Sequence, residues 1–263
     1  MRQNYLITGG AGFIGVNLIR RLLTAEKARV RILDNLSVGK AENLAGLPVE
    51  LIIGDIRDAP AVRRAMAGTD FVVHLAASTG VVDSVTDPLE NMSVNVGGTL
   101  NLLQAAVEHQ VQRFIFASTG GAIVGEAVPP VHEKMLPRPV SPYGASKLAG
   151  EGYCSAFWGS YGLKTIALRF SNIYGLYSHL KGSVVAKFFR RAQAGKELTI
   201  FGDGSQTRDF LFVEDLSEAI ATAAHVEVPF GQAIQLGTGK ETSVNELVDL
   251  MRQFAGDSFP AVK

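Results

Sequence analysis

Short apolar runs alternate along this chain with longer segments whose apolar residues recur at helical spacing. Runs of strand length lie at residues 5–7, 30–33, 51–53, 71–75, 114–117 and 165–170. Segments of helical period lie between them, at residues 13–23, 59–67, 87–109 and 142–161. Strands that are apolar on both faces and separated by helices are typical of a parallel sheet covered on both sides. The pattern therefore predicts an α/β fold with a doubly wound parallel sheet.

The pattern becomes looser beyond residue 175. It predicts helices at residues 183–194, 213–225 and 243–254, a short strand at 198–201 and a turn at 202–205. These elements predict a smaller lobe at the carboxyl ends of the sheet strands. We expect a ligand to lie between the two parts, because open α/β sheets bind ligands at that edge.

Composition narrows the classes of protein that are possible. The chain has 263 residues, 47% of them hydrophobic, and its 25 basic side chains balance 25 acidic ones. That length suits one large domain with a lobe, and the charge balance argues against a nucleic-acid surface. The start does not resemble a signal peptide, and no window approaches the roughly 20 apolar residues of a membrane span. The single cysteine, Cys154, excludes an internal disulfide. We expect a soluble, cytoplasmic protein.

Glycines stand at every third position where the first strand is expected to turn into the first helix, at Gly9, Gly12 and Gly15. Small residues allow the backbone to approach a pyrophosphate, which the positive helix terminus attracts. The same spacing also fits a merely tight turn. Asp34 closes the second strand, where a carboxylate can accept hydrogen bonds from ribose hydroxyls and repel a 2′-phosphate. The glycine turn and Asp34 together favour NAD over NADP. The alternative is that Asp34 is only a turn residue at the end of the strand.

Two further strand ends fit a dinucleotide. Asp55 and Ile56 follow the third strand, from which a side chain can reach the adenine. The small residues Ala76 and Ala77 follow Leu75 at the end of the fourth strand and leave room for the nicotinamide half. Each segment alone is also compatible with an ordinary loop.

A tyrosine and a lysine four residues apart supply candidate chemistry. Ser141 is a plausible helix cap and Pro142 a plausible first helical residue, which places Tyr143 in the first turn with Lys147 on the same face. The helix terminus and the ammonium both favour a phenolate, so we expect the tyrosine pKa to lie below its usual value of about 10. Such a phenol can act as a general base, although the spacing also occurs by chance in many helices.

Hydroxyl groups follow the fifth strand at Ser118 and Thr119. Either hydroxyl can hydrogen-bond a reacting oxygen or merely cap the strand end, and we favour Thr119 for the reaction. His74 and His109 show no metal-ligand spacing, so we expect structural roles for them and no bound metal.

Together these residues resemble the extended short-chain dehydrogenase/reductase superfamily, specifically its nucleotide-sugar epimerase/dehydratase branch. The resemblance covers nearly the whole chain. It rests on ordered motifs at residues 8–15, 34–36, 54–56, 74–77, 95–99, 141–147, 169–175 and 202–210. It implies a Rossmann-type NAD-binding domain over residues 1–175 and a mainly substrate-binding lobe over 176–263, from which a segment at about 208–225 returns to the first domain.

The resemblance also implies roles at matching positions. Tyr143 matches the base, Lys147 the residue that binds the nicotinamide ribose and assists it, and Thr119 the active-site hydroxyl. The implied NAD contacts are Gly9, Gly12, Phe13, Ile14, Gly15, Asp34, Asn35, Asp55, Ile56, Leu75, Ala76, Ala77, Asn95, Tyr143 and Lys147. The implied substrate contacts are Ser84, Thr119, Tyr143, Asn172 and Arg208.

The family positions that match Asn172 and Arg208 hold the nucleotide diphosphate. A planar guanidinium suits a pyrophosphate, although Arg208 could also form an ion pair with Asp209 or Glu214.

The residues after Thr119 distinguish reactions within this branch. Sugar dehydratases resemble a pattern with an Asp-Glu pair there, whereas this chain has Gly120, Gly121 and Ala122, as in proteins similar to UDP-glucose 4-epimerase. The resemblance therefore implies NAD-dependent epimerisation of a nucleotide sugar, a UDP-hexose at carbon 4, through a 4-keto intermediate. Such an enzyme belongs to carbohydrate metabolism, including polysaccharide biosynthesis. A nucleotide-sugar dehydrogenase or reductase, a dehydratase, and a non-catalytic NAD-binding protein are the alternatives.

The chain departs from the family pattern at two places. Val124 stands where a tyrosine is common, and the sequence stops at Lys263 although relatives run further and supply another arginine to the nucleotide. We therefore expect a truncated substrate lobe. The helices predicted at 87–109 and 142–161 resemble those that form a dimer interface in this superfamily, so we expect a homodimer.

Overall fold

A seven-stranded parallel sheet forms the centre of the computed structural model, which describes residues 2–25, 28–180, 182–255 and 259–260. The strands are β1 (Gln3–Thr8), β2 (Ala28–Asp34), β3 (Val49–Ile53), β4 (Phe71–His74), β5 (Arg113–Thr119), β6 (Thr165–Phe170), β7 (Asn172–Tyr174), β8 (Thr207–Arg208), β9 (Phe210–Phe212), β10 (Gln232–Leu236) and β11 (Thr242–Ser243). The large sheet has the order β10-β6-β5-β4-β1-β2-β3. Its strand direction is the same throughout. The chain changes direction across the sheet between β1 and β4, which is where doubly wound folds bind ligands.

Helices cover both faces of the sheet. They are α1 (Phe13–Ala25), α2 (Ala59–Met66), α3 (Val81–Thr86), α4 (Pro88–Met92), α5 (Gly98–Glu108), α6 (Gly120–Val124), α7 (Pro142–Tyr161), α8 (Val184–Gln193), α9 (Val213–Ala223) and α10 (Val244–Ala255). Helices α1 and α9 share one apolar core with the sheet, and α2, α5 and α7 share the other. Because both faces are covered, the central strands are apolar throughout, which explains the continuous runs in the sequence.

The predicted strands of the first part are confirmed to within a few residues, and the predicted helix at 142–161 is confirmed at both ends. The helix predicted at 87–109 is confirmed, because the chain is helical without interruption from Pro88 to Glu108. Its middle is a π-helical segment at Ser93–Gly97 between α4 and α5, and the short α3 that precedes it was not predicted. Asp87 begins α4 by accepting a hydrogen bond from the backbone of Glu90 at 3.0 Å. The strand predicted at 198–201 is wrong, because Leu198 forms only an isolated bridge there and is fully buried.

The residues beyond 175 contribute to both parts of the molecule. Strand β10, which the sequence pattern did not predict, pairs with β6 at the edge of the large sheet, and α9 packs on α1. A separate small core holds α8 and α10 together; its buried members are Val185, Phe188, Leu198, Val244, Leu247, Val248 and Met251. The described part of the chain contains no helix that is both long and apolar enough to cross a membrane.

Candidate active site

The glycine turn lies between β1 and α1 at the point where the sheet order reverses. Gly9 has a φ of +71°, and a side-chain carbon at this position would lie 2.7 Å from the backbone nitrogen of Ala76. A side-chain carbon at Gly15 would lie 2.5 Å from the α-carbon of Gly10. Side chains at Gly9 and Gly15 are therefore excluded. A side-chain carbon at Gly12 would have more room, since it would lie 3.2 Å from the Gly9 carbonyl oxygen. Phe13 and Ile14 begin α1 directly after this turn, half-buried.

Asp34 holds the glycine turn against the loop that follows β2. One carboxylate oxygen accepts the backbone N–H of Ala11 at 2.9 Å, and the other accepts that of Leu36 at 2.8 Å. Its side chain is buried at 7% exposure. A carboxylate has about four acceptor positions, so these two bonds leave capacity for ribose hydroxyls. Asp34 thus stands where the sequence places it and also shapes the turn.

Asp55 follows β3 and joins two loops of the same edge. It accepts a hydrogen bond from the Asn35 side chain at 3.1 Å and pairs with Arg57 at 2.8 Å. The hydrogen bonds from Arg57, opposed by partial burial, lower the pKa of Asp55 to about 2. Arg57 also pairs with Glu90 at 2.9 Å, and the sequence pattern gave no reason to single it out. The neighbouring Ile56 is almost fully buried in the core, so its side chain contributes packing at this edge.

The end of β4 forms the next wall of the crevice. The backbone N–H of Leu75 donates to the carbonyl of Thr8 at 3.1 Å, and that of Ala76 donates to the Thr8 hydroxyl at 3.2 Å. Leu75, Ala76 and Ala77 are half-buried. The end of β4 is therefore held directly against the last residue of β1, beside the glycine turn.

Asn95 is buried within the π-helical segment at 2% exposure. Its amide oxygen accepts the backbone N–H of Ser78 at 2.8 Å, and its amide nitrogen donates to the Ser78 carbonyl at 3.0 Å and to the Ser146 hydroxyl at 2.9 Å. Asn95 therefore fixes the loop after β4 against α7. Neither Ser78 nor Ser146 was among the candidate residues.

Helix α7 presents Tyr143 and Lys147 toward this edge. The predicted cap is confirmed, because the Ser141 hydroxyl accepts the backbone N–H of Gly144 at 3.1 Å and Pro142 occupies the first turn. The Lys147 ammonium donates to the carbonyl oxygen of Ala117, near the end of β5, at 2.8 Å. Its side chain is 3% exposed, whereas Tyr143 is half-buried.

The pKa of the candidate base does not follow the prediction from helix position and charge. Burial raises the pKa of Tyr143 to about 12 and lowers that of Lys147 to about 8. The expected lowering of the tyrosine pKa is therefore wrong for this structure, since the cost of burying a phenolate exceeds the attraction of the lysine. A phenol of this kind needs a further positive charge beside it before it releases its proton near neutral pH.

Thr119 ends β5 and precedes α6. It is half-buried, and its hydroxyl does not cap that helix. Ser118 instead faces α7, where its hydroxyl donates to Glu151 at 2.6 Å. Glu151 is also paired with Arg169 on β6 through bonds of 2.7 and 2.8 Å. The arrangement supports the choice of Thr119, because Ser118 is already committed to a buried network.

The candidate substrate residues lie in two places. Ser84, buried at 1% exposure, accepts the backbone N–H of Tyr143 at 3.1 Å, so it lies directly behind the candidate base. Asn172 begins β7, and its backbone N–H donates to the carbonyl of Asp209 at 2.9 Å. That bond brings Asn172 next to Arg208, which is exposed and whose guanidinium donates to the Thr207 carbonyl.

Asp209, which was an alternative partner of Arg208, instead holds the loop after β10. Its carboxylate accepts hydrogen bonds from Thr238 at 2.9 Å and from the backbone of Gly239 at 2.9 Å. The Asp209 carboxylate is therefore occupied by this loop, and the guanidinium of Arg208 is available to a ligand.

The residues of this edge fit a dinucleotide. The glycine turn is a cradle that side-chain carbons at Gly9 and Gly15 would fill, and Asp34 keeps free acceptor positions beside it. No group of three or more His, Cys, Asp or Glu side chains within the described residues is placed to hold a metal ion. His74 is buried between strands, and Cys154 is a buried free thiol.

A parallel sheet with a glycine turn at its switch point and a Tyr-x-x-x-Lys helix at its carboxyl edge has the architecture of the short-chain dehydrogenase/reductase class. Residues 5–237 match the model of the NAD dependent epimerase/dehydratase family. The chain belongs to this family, whose cofactor is NAD.

The individual proteins to which this chain is similar include epimerases. A UDP-glucose 4-epimerase of Mycolicibacterium smegmatis is 40% identical over 252 residues, which cover 92% of this chain and 79% of the relative. The crystal structure of a Thermotoga maritima UDP-glucose 4-epimerase with UDP-glucose has a TM-score of 0.92 and 38% identity, covering 99% of this chain and 85% of that one. A Thermus thermophilus UDP-glucose 4-epimerase in complex with NAD gives 0.89 and 38%, covering 99% and 86%.

Proposed function

We propose that this protein is an NAD-dependent epimerase that inverts carbon 4 of a nucleotide sugar, a UDP-hexose, through a 4-keto intermediate. The observation that carries the proposal is the first part of α7, which carries Tyr143 and holds Lys147 against the end of β5 through the Ala117 carbonyl, two residues before Thr119 and the glycines that follow it. An acid–base pair for eliminating water would need carboxylates at that place, and Gly120 and Gly121 offer none. The relatives named above support the substrate class.

Each side chain at this edge has its own role in the proposed reaction. The Tyr143 phenolic oxygen takes the proton of the sugar 4-hydroxyl, and the Thr119 hydroxyl hydrogen-bonds the same oxygen. When bound, NAD⁺ supplies a hydride acceptor and a positive charge that favours the phenolate. Lys147, held to the Ala117 carbonyl, adds its ammonium charge and a hydrogen bond for the ribose. The raised pKa of Tyr143 also suits the return step, in which the phenol gives its proton back.

The remaining predicted contacts hold the ligand in place. Asp34 takes the adenosine ribose, and the glycine turn with the amino terminus of α1 takes the pyrophosphate. Arg208 and Asn172 take the diphosphate of the sugar nucleotide, because a guanidinium pairs with phosphate oxygens in a bidentate manner.

The test is turnover of UDP-glucose, UDP-galactose and their N-acetylated and uronic-acid counterparts without added reductant, with products read by NMR. We expect one epimer pair to interconvert. The Tyr143→Phe variant should lose about 10²- to 10⁴-fold in turnover while keeping its NAD, since only proton transfer is removed. Net formation of NADH without an epimer would favour a dehydrogenase, and a 4-keto-6-deoxy product would favour a dehydratase. A non-catalytic NAD-binding protein would show no turnover to lose.

We further propose that the protein forms a homodimer through α3, α4 and α7. Val82, Val85, Leu89 and Met92 recur three and four residues apart and are 76%, 63%, 72% and 54% exposed. Helices α3 and α4 pack against each other and against α7, and on this basis we infer that the four exposed side chains share one apolar surface beside α7. An exposed apolar surface of this kind is typical of a contact between proteins. We also propose a cytoplasmic location, which the free, buried thiol of Cys154 supports.

A further inference from the structure

A buried histidine joins the strand of the glycine turn to the helix beside Asn95. His74, at the end of β4, is 1% exposed and lies between the rings of Phe114 and Phe116. Its Nδ1 atom is 2.8 Å from the Thr8 hydroxyl, and its Nε2 atom is 2.9 Å from the Thr99 hydroxyl. Both ring nitrogens therefore have hydrogen-bond partners.

The neighbouring bonds determine where each proton lies. The Thr99 hydroxyl donates its only proton to the carbonyl of Asn95. It can therefore only accept from His74, which requires the proton on Nε2. On the other side, the Thr8 hydroxyl already accepts the backbone N–H of Ala76, and its own proton is free to go to Nδ1. The ring is thus neutral, with one donor and one acceptor.

A protonated, positively charged His74 ring would disrupt this arrangement of hydrogen bonds. Two donating nitrogens would leave the Thr8 proton without an acceptor in a buried site, which is costly. Burial and the positive charge of Lys147 both lower the pKa of His74 well below its usual value.

The bonds continue to the candidate base. The Asn95 amide donates to the Ser146 hydroxyl at 2.9 Å, and that hydroxyl donates to the carbonyl of Tyr143 at 2.8 Å. Hydrogen bonds thus run from the backbone of Ala76, beside the glycine turn, through the ring to the backbone carbonyl of Asn95. The side chain of the same Asn95 continues the connection through Ser146 to the first turn of α7.

We propose that His74, neutral and with its proton on Nε2, is a positioning residue that fixes the glycine turn and the Tyr143 turn relative to each other. It acts through the bonds to Ala76 and Asn95. Its kinetic consequence rests on the proposed function, whereas its protonation state does not. A displacement of reacting groups by about 1 Å can cost about a hundredfold in rate, so a loss of this chain of bonds should reduce turnover.

The first experiment is ¹⁵N NMR of the histidine rings in the NAD-loaded full chain. We expect one buried ring with its proton on Nε2 and no titration between pH 5.5 and 8. His109→Gln, which removes an exposed ring, and His74→Phe assign the signals. A proton on Nδ1, or titration of His74 in this range, overturns the proposal whether or not the protein is an epimerase.

The second experiment compares Thr99→Val with Thr99→Ser, because valine keeps the shape of threonine and serine keeps the hydroxyl. Thr99→Val should lower kcat between about ten- and a hundredfold with little change in KM for the UDP-sugar. Thr99→Ser should restore most of kcat, and His74→Phe should resemble Thr99→Val. Unchanged kcat in Thr99→Val overturns the positioning role. If the wild-type chain lacks turnover, the proposed function fails; the positioning role is then read from NAD dissociation, which Thr99→Val should accelerate and Thr99→Ser should not.

Discussion

Tyr143 and Lys147 show how strongly burial acts on single side chains. Their spacing alone suggested a phenol made acidic by a nearby ammonium, yet the pKa of Tyr143 rises to about 12 and that of Lys147 falls to about 8. Both shifts favour the uncharged forms, as removal from water does. The candidate base and its partner therefore need the charge of a bound ligand to act as the sequence suggested.

The pKa of Lys147 makes a prediction about stability. Because the unfolded lysine, with a pKa of 10.5, holds its proton more tightly than the folded one at about 8, the unfolded state carries more protons between these values. The free energy of unfolding should therefore rise with pH in that window, by ~2 kcal/mol between pH 8 and 10 relative to Lys147→Met. Tyr143 opposes this as the pH approaches and passes 10, where the unfolded phenol ionises first, but Lys147→Met keeps this tyrosine and so shares its effect. Urea denaturation at pH 8, 9 and 10 measures the difference, and identical slopes for both proteins would contradict it.

At the scale of elements, the site is assembled from the ends of strands and the beginnings of helices. The glycine turn, the loops after β2, β3 and β4, and the first turn of α7 all meet at the carboxyl edge of the sheet. Parallel topology guarantees this meeting, because all strands point the same way and their carboxyl ends, with the loops and helix starts that follow them, lie at one edge. Short loops held by Asp34, Asp55 and Asn95 then fix the details.

The close packing of the glycine turn predicts the effect of a single methyl group. Gly9→Ala places a carbon 2.7 Å from the Ala76 nitrogen at a φ of +71°. Strain of about 1–3 kcal/mol at this position should weaken NAD binding by about five- to a hundredfold. Gly159→Ala in α7 is the control, because open space surrounds that position and alanine suits a helix. NAD content after purification and titration of the stripped protein measure the effect; equal affinity in both variants would show that the turn is not the binding site.

At the scale of the molecule, the two faces of the sheet differ from the surface of α3 and α4 in how well their apolar side chains are covered. The cores on either face of the sheet are closed by helices, whereas α3 and α4 leave apolar side chains uncovered. A second copy of the chain is the partner that we propose for this surface.

The dimer proposal predicts a change in assembly state. Leu89→Glu places a charge in the centre of the apolar surface, where leaving water is costly, and should convert a dimer to a monomer. Val128→Glu, at another exposed apolar side chain with 83% exposure, should leave the assembly unchanged. Light scattering coupled to size-exclusion chromatography reports the mass. A wild-type monomer, or a Leu89→Glu dimer, would refute the interface.

Sequence alone determined the order of the main strands and helices, the glycine turn, Asp34, and the capped helix with Tyr143 and Lys147. These features follow from local periodicity, backbone sterics and helix capping, which act over a few residues. Tertiary structure decided what depends on contacts between distant segments. It placed β10 in the sheet and put a π-helical segment in the middle of the helix predicted at 87–109. It paired Arg57 with Glu90, bonded the Ser118 hydroxyl to the buried carboxylate of Glu151, and fixed the proton of His74 between Thr8 and Thr99. Burial and long-range hydrogen bonds set these outcomes, because they arise only when the chain brings remote residues together.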